Sequence, residues 1–349
     1  MRTALRVLLR LCAVTGGSVA AVLLWSLISG ASASAATPPS SPPAPACPDV
    51  QVIAVPGTGE TNQAADPHHP VGMLAQVSQP LQKSLPGRVD TWYVPYVATA
   101  APMGGGATYA DSKAQAVSIA TTKMAHTAAT CTHTRFALTG YSQGAAAAGD
   151  LAAQIGHAHG PIPATKLVAV GLISDPNRAA TGETLVGAPA PGTGLAGARP
   201  GGFGTVTNRV VTLCAPTDLF CATPPSSTGT AIVGRTMSTL STAPDSPLGQ
   251  LLRATSSPQA AIQALQQLGV HDLPTLITTL QRVLSPATMA QVGDLLHAFT
   301  PDAVHAQISA YASFMASGVH GSYTSFIVDG QGHTGTQWLT QWMHNQLTT

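Results

Sequence analysis

The chain has 349 residues, of which 44% are apolar and only 8% charged, and its formal net charge is +1. That is ample apolar mass for one large buried core or two smaller ones, and it excludes disorder throughout. So little charge argues against nucleic acid or a field-steered acidic substrate as partner, and it leaves few carboxylates from which a catalytic acid could be drawn.

The N-terminus runs from basic (Arg2, Arg6, Arg10) to apolar (11–28) to small residues (31–36). That order predicts a secretory signal cleaved near Ala35. An uncleaved membrane anchor is the alternative, although the apolar stretch is near the lower length limit for a span and contains Gly16, Gly17 and Ser18. Residues 1–36 are therefore read as signal or anchor, 37–46 as a Pro- and Ser-rich extended spacer, and 47–349 as the mature domain. Of five cysteines, Cys12 falls in the leader. Cys47, Cys131, Cys214 and Cys221 are an even number in a chain read as exported, which favours disulfides. Zinc-like pairs of C-x-x-C are absent, and no metal site is expected. Three pairings are open. By chain entropy, joining Cys214 to Cys221 is worth about 2 to 3 kcal/mol, and joining Cys47 to Cys131 about 4 to 5 kcal/mol.

Residues 50–55 form an apolar run that opens into Pro56-Gly57-Thr58-Gly59-Glu60-Thr61-Asn62, a strand leading into a Gly-rich loop. A phosphate loop does not fit, because the Gly-Lys-Ser/Thr ending is missing and no helix signal follows at once. Residues 73–83 have helical spacing and 91–96 read as a second strand, followed by a loop with Gly104, Gly105 and Gly106. Asp111 is the expected N-cap of a helix running to about 128, ahead of a strand at 135–139. That strand breaks into Gly140-Tyr141-Ser142-Gln143-Gly144 and then an alanine-rich segment, 145–155.

Strand, tight turn and helix around Gly-x-Ser-x-Gly describe the nucleophile elbow of an α/β-hydrolase, with Ser142 as the candidate nucleophile. A glycine-flanked surface turn is the plainer alternative. In the elbow reading, the helix that follows presents its amides and the positive end of its dipole to the serine. The loop after the first core strand then offers an oxyanion a backbone N–H, with the Thr58 hydroxyl beside it.

The nearly all-apolar run at 166–173 reads as a strand covered on both faces, ending in Ser174-Asp175-Pro176. Residues 181–204 are dense in Gly and Pro and read as loop, and 209–214 as the last clear strand. Strands alternating with helices predict a mostly parallel, five-stranded sheet with helices on both sides. From 226 to 317 the character changes to short amphipathic helical segments at 248–252, 260–268, 273–284, 289–299 and 304–315, punctuated by Pro258, Pro274, Pro286 and Pro301. Their period is too irregular for a repeat array. Residues 335–347 read as a final helix whose Trp338 and Trp342 are assigned to core packing.

A serine nucleophile needs a histidine base, and the base needs a carboxylate, in the chain order Ser, acid, His. Asp175 and Asp218 are the acids downstream on strand ends. Asp218 is preferred, because it follows the final strand inside a loop bounded by Cys214 and Cys221, whereas Asp175 comes one strand too early and suits a turn. Of the later histidines, His271, His297 and His305 fall in the helical segments, whereas His320 and His333 lie in the loop-rich stretch before the last helix. Spacing does not choose between those two.

Taken together, Cys47-Pro48-Asp49-Val50 with Gly57-Thr58-Gly59-Glu60-Thr61, Gly140 to Gly144, Cys-x3-Asp-x2-Cys at 214–221 and Arg199-Pro200-Gly201-Gly202-Phe203-Gly204 resemble the cutinase-like serine esterases. The likeness is to their actinobacterial cell-envelope branch of lipases, phospholipases and thioesterases, and it covers about 47–218 and 318 to the C-terminus. It implies a three-layer α/β-hydrolase sandwich. It also implies His320 as base, through His320-Gly321-Ser322-Tyr323 followed by Gln337-Trp338-Leu339, with His333 as the alternative. Thr58 and the N–H of Gln143 are the implied oxyanion hole, and Cys47–Cys131 and Cys214–Cys221 the implied disulfides. The expected activity is hydrolysis of lipid acyl esters, phospholipids or acyl thioesters by a secreted or envelope-anchored enzyme, without metal or cofactor and without nucleic acid. An acyltransferase using the same triad and a catalytically silent envelope-binding protein are the alternatives. Membrane or envelope association is expected, and nothing in the sequence fixes the oligomeric state. Compact cutinases join acid and base by a short connection, so 226–317 has no counterpart there and is read as a helical insert and candidate lid.

Overall fold

Short runs rich in Val, Ile and Leu line up side by side in the computed structural model, which describes residues 47–100, 107–239, 241, 243 and 301–349. The strands are β1 (Val50–Val55), β2 (Val89–Tyr93), β3 (Arg135–Tyr141), β4 (Leu167–Ile173), β5 (Thr184–Val186) and β6 (Val210–Leu213). They form one sheet in the order β2-β1-β3-β4-β6-β5, and every pairing is parallel. The described helices are α1 (Gly72–Ser84), α2 (Tyr109–Thr130), α3 (Gln143–Gly156), α4 (Thr228–Thr239), α5 (Pro301–Ser317) and α6 (Gly335–Thr348).

Among the described residues the sheet has six strands, where the sequence predicts five. The addition is β5, a three-residue edge strand bonded only to β6. Three residues inside a Gly- and Pro-dense stretch are too few to register as an apolar run, and edge strands are commonly kept this short.

A parallel strand covered on both sides must be apolar on both faces, and its two-residue alternation divides the side chains between the layers. Phe136 and Leu138 of β3 and Val170 and Leu172 of β4 join the core that includes Met124 of α2 and Leu151 and Ile155 of α3. Ala137 and Tyr141 of β3 and Ala169 and Ile173 of β4 join the opposite core, with Leu74, Val77 and Leu81 of α1 and Leu339, Met343 and Leu347 of α6. This is the three-layer α/β-hydrolase arrangement. Gly171 on β4 sets how closely α6 approaches, since a Cβ there would lie 2.5 Å from Leu339 Cδ1. Each fully buried leucine of this layer contributes about 1.5 to 3 kcal/mol.

The starts of α2 and α6 follow the capping rules, the first with one change of residue. Thr108, not Asp111, is the N-cap of α2, and its Oγ1 accepts the Asp111 amide at 3.1 Å. Asp111 instead occupies the first turn, where a carboxylate suits the dipole. Thr334 and Gln337 form a reciprocal capping box on α6. Trp338 and Trp342 stack at 6.3 Å and pack against the core beneath α6. Disulfides join Cys47 to Cys131 and Cys214 to Cys221. Within 226–317, the segment at 304–315 falls inside α5, and α4 is an additional helix. The segments at 248–252, 260–268, 273–284 and 289–299 lie outside the described residues.

Candidate active site

Three strand ends and a turn beyond α5 bring distant residues together. At the end of β3, Ser142 has φ 55° and ψ −123°. Its amide donates to Ile173 O of β4 at 2.9 Å. The flanking glycines are required sterically: a Cβ on Gly140 would sit 2.3 Å from Gly144 O, and one on Gly144 would sit 2.0 Å from Val55 O. With both side chains reduced to hydrogen, β3 turns sharply into α3 and the Ser142 hydroxyl is held at the lip of the sheet.

Asp218 lies beyond β6, inside the loop closed by Cys214–Cys221, and is fully buried. Its Oδ1 accepts the Phe220 amide at 3.1 Å. Its Oδ2 accepts the Ser174 hydroxyl at 2.7 Å and the Tyr323 hydroxyl at 2.8 Å. Burial pushes this carboxyl up, but the hydrogen bond and charge of His320, with the Ser174 and Tyr323 donors, outweigh it and hold the group below the ordinary carboxylate range.

His320 sits in a 3-10 turn, Val319–Thr324, entered through Gly318, whose φ of 66° favours glycine. Its Nδ1 lies 3.0 Å from Asp218 Oδ2, and its Nε2 lies 3.0 Å from Ser142 Oγ. A carboxylate accepts but does not donate, so the network assigns the ring proton to Nδ1 and leaves Nε2 as an acceptor for the serine hydroxyl. Tyr141 stacks on the imidazole at 5.1 Å and donates its hydroxyl to His320 O at 2.9 Å. Phe220 covers the ring from 4.5 Å and Phe314 of α5 stands 6.4 Å away. The set can therefore remove a proton from the serine and hold the resulting imidazolium beside a buried carboxylate.

The two alternatives from the sequence go elsewhere. His333 pairs locally through Nδ1 with Asp329, at 2.7 Å. Asp175 is buried against Arg199, whose Nη1 lies 3.0 Å from its Oδ2. Arg199 also reaches Asp150 Oδ1 at 2.9 Å and Ala146 O at 3.1 Å. A Cβ on Gly149 would fall 2.3 Å from its Nη2, so α3 carries a glycine where the guanidinium crosses it.

Gln143 follows the serine, and its backbone N–H lies in the first turn of α3, where helix geometry supplies no intrahelical acceptor. Its side chain is occupied otherwise: Oε1 accepts from Ser112 Oγ and Nε2 donates to Thr99 O, both at 3.0 Å. Thr58 is exposed on the loop after β1. That loop is held by Glu60, whose two carboxylate oxygens accept the amides of Gly57 and Met73, each at 2.8 Å. Burial raises Glu60 above its usual range, against the pull of those amides and of His320.

Ser174 and Glu60 are the contributors the sequence does not single out. Ser174 offers no signal beyond its place directly after an apolar strand, and Glu60 reads only as part of a Gly-rich motif. Among the described residues, no group of three or more His, Cys, Asp or Glu is placed to hold a metal ion.

The family model for cutinase matches residues 46–237, more than half of the chain. The carboxylesterase Culp6 homolog of Corynebacterium glutamicum is 34% identical over 205 residues, which are 51% of this chain and 66% of that relative's length. Among solved structures, an iodinated complex of acetyl xylan esterase matches at 22% identity and a TM-score of 0.42, covering 55% of this chain and 95% of its own. A cutinase-like protein from Cryptococcus sp. matches at 20% identity and a TM-score of 0.39, covering 55% and 93%. By the extent of the family match, this chain belongs to the cutinase family of carboxylic ester hydrolases.

Proposed function

We propose that this chain is a serine esterase that cleaves lipid acyl esters through an acyl-enzyme on Ser142. The observation that carries the reading is the continuous contact from Ser142 Oγ to His320 Nε2, and from His320 Nδ1 to Asp218 Oδ2, each 3.0 Å. His320 takes the hydroxyl proton as Ser142 Oγ attacks the carbonyl, and Asp218 stabilises the imidazolium. The oxyanion lies between the Gln143 N–H and the Thr58 loop, where losing one donor typically costs about 10²- to 10³-fold in kcat. His320 returns the proton to the leaving alcohol. Water then attacks the acyl-enzyme with His320 again as base, releasing the acid and restoring Ser142.

A lipidic acyl group suits the surroundings of the imidazole. Phe220 and Phe314 cover it, Tyr311 packs on Phe314 at 6.0 Å, and Tyr311 and Met315 are 44% and 54% exposed on α5. In this reading α5, which carries Phe314 to within 6.4 Å of the imidazole, forms part of the apolar wall of the acyl site. The two disulfides suit an oxidising compartment, in keeping with export through the basic and apolar N-terminus and with residence in the cell envelope.

The test is covalent labelling with a fluorophosphonate probe together with a hydrolysis panel. Labelling is expected in the wild type and lost in Ser142→Ala; persistent labelling there removes Ser142 as nucleophile. His320→Ala abolishes turnover while His333→Ala keeps it, and the reverse pattern transfers the base to His333. Rates rising with acyl length support the lipid reading, and activity confined to the shortest esters overturns it.

A further inference from the structure

Ser142 has a counterpart one strand away. Ser174, at the end of β4, has φ 54°, against 55° for Ser142, so both are non-glycine residues in the left-handed region. Such a backbone is strained for a residue with a side chain, persists only where its surroundings over-determine it, and gathers at active sites. Glycine would adopt it freely. A serine here therefore needs a reason in its hydroxyl.

The position supplies one. Ser174 is fully buried, and its amide donates to Leu213 O of β6 at 2.8 Å. The preceding residue, Ile173, accepts the Ser142 amide. Ser174 is thus tied between the strand that presents the serine and the strand that leads to Asp218. Its Oγ donates to Asp218 Oδ2 at 2.7 Å and stands 3.1 Å from His320 Nδ1. With its single proton committed to the carboxylate, the oxygen turns lone pairs toward the Nδ1–H.

We propose that Ser174 is a positioning residue for ester hydrolysis, locking the Asp218 carboxylate and the His320 Nδ1–H together so that Nε2 stays directed at Ser142. The proposal rests on the reading of Ser142, His320 and Asp218 as the reacting set. Ser174 touches no reacting atom of the ester and acts through the imidazole.

Two variants separate this role from a structural one. Ser174→Ala removes the hydroxyl and keeps the backbone strain, whereas Ser174→Gly removes the hydroxyl and relaxes it. Both are expected to lower kcat on a short p-nitrophenyl ester by about ten-fold, the scale of a hydrogen bond to a charged acceptor, with KM unchanged. Fluorophosphonate labelling of Ser142 slows by the same factor, while Ser174→Gly melts at or above the wild-type temperature. If Ser174→Ala fails to fold, Ser174→Gly decides. Wild-type kcat in the folded variants overturns the proposal, as does a raised KM at unchanged kcat, which would move Ser174 to substrate binding. A Ser142→Ala control distinguishes the failures: labelling that survives there sinks the underlying reading, whereas labelling lost there beside unchanged Ser174 variants sinks this proposal alone.

Discussion

Two carboxylates end neighbouring strands of one sheet, Asp175 past β4 and Asp218 past β6, and both are completely buried. Their partners differ in kind. Asp175 faces the guanidinium of Arg199, and Arg199 in turn holds Asp150, which also pairs with Lys113 at 2.8 Å. Burial by itself would lower Arg199, but Asp175 and Asp150 override it and the guanidinium is raised above its ordinary value. Asp218 instead receives the hydroxyls of Ser174 and Tyr323, the amide of Phe220 and the imidazole of His320. A permanent cation neutralises its carboxylate locally and makes a clamp. Neutral donors stabilise a charge without cancelling it, so an imidazolium formed next to Asp218 still feels it. Burial alone therefore does not separate a structural acid from one proposed to orient a base.

The largest way to break this contrast is Asp218→Asn, which preserves size and removes charge. Turnover is expected to fall by about 10⁴-fold, with the fold retained, as the imidazole loses the partner that fixes its tautomer. Asp175→Asn, measured beside it, should leave the chemical step intact and reduce stability. A loss of kcat confined to Asp175→Asn would exchange the two roles. Next in size is Arg199→Ala, which leaves Asp175 buried without its cation. A loss of about 3 to 5 kcal/mol in urea unfolding is expected. An unfolding midpoint like that of the wild type would show that the clamp contributes no net stability.

What the sequence could say about these two acids followed from local constraints. Gly140 and Gly144 are legible because each abuts backbone, and Asp218 because two cysteines frame it after a strand. The choice of His320 over His333 came only from a resemblance, since spacing does not reveal that Asp329, four residues away, holds His333. The strand β5 is hidden by its shortness at the sheet edge, and the cap at Thr108 by Asp111, three residues on, whose side chain also suits a helix start. Ser174 was beyond reach for a physical reason: its strained φ and its contacts to Asp218 and His320, 44 and 146 residues away, arise only once β3, β4 and β6 are in register.

Titration sharpens the contrast with opposite signs. Asp218 is held below its ordinary value, so its stabilising contribution is present above the unfolded-state pKa of about 3.9 and is lost as pH falls through the folded value. Glu60, raised mainly by burial, favours the folded state most when protonated. Its contribution is full below the unfolded-state pKa of about 4.3 and is lost as pH rises through the raised folded value. Urea unfolding from pH 2 to 7 should therefore lose its low-pH slope in Asp218→Asn and its opposing slope in Glu60→Gln. Profiles unchanged from wild type in both variants would contradict the assignment.

The smallest expected effect distinguishes the two hydroxyls on Asp218. Tyr323 donates to Oδ2 at 2.8 Å and accepts the Ala215 amide at 3.1 Å, but it does not contact the imidazole as Ser174 does. Tyr323→Phe keeps the buried ring, removes one of several donors from the carboxylate, and leaves the Ala215 amide unpaired. A stability loss of about 1 to 3 kcal/mol is expected from that unpaired group, with kcat reduced only a few-fold. Ser174→Gly should show the reverse balance, with little change in stability and the larger fall in kcat. If Tyr323→Phe costs more turnover than Ser174→Gly, then the carboxylate's own hydrogen bonding, and not the shared contact with Nδ1, governs how His320 is held toward Ser142.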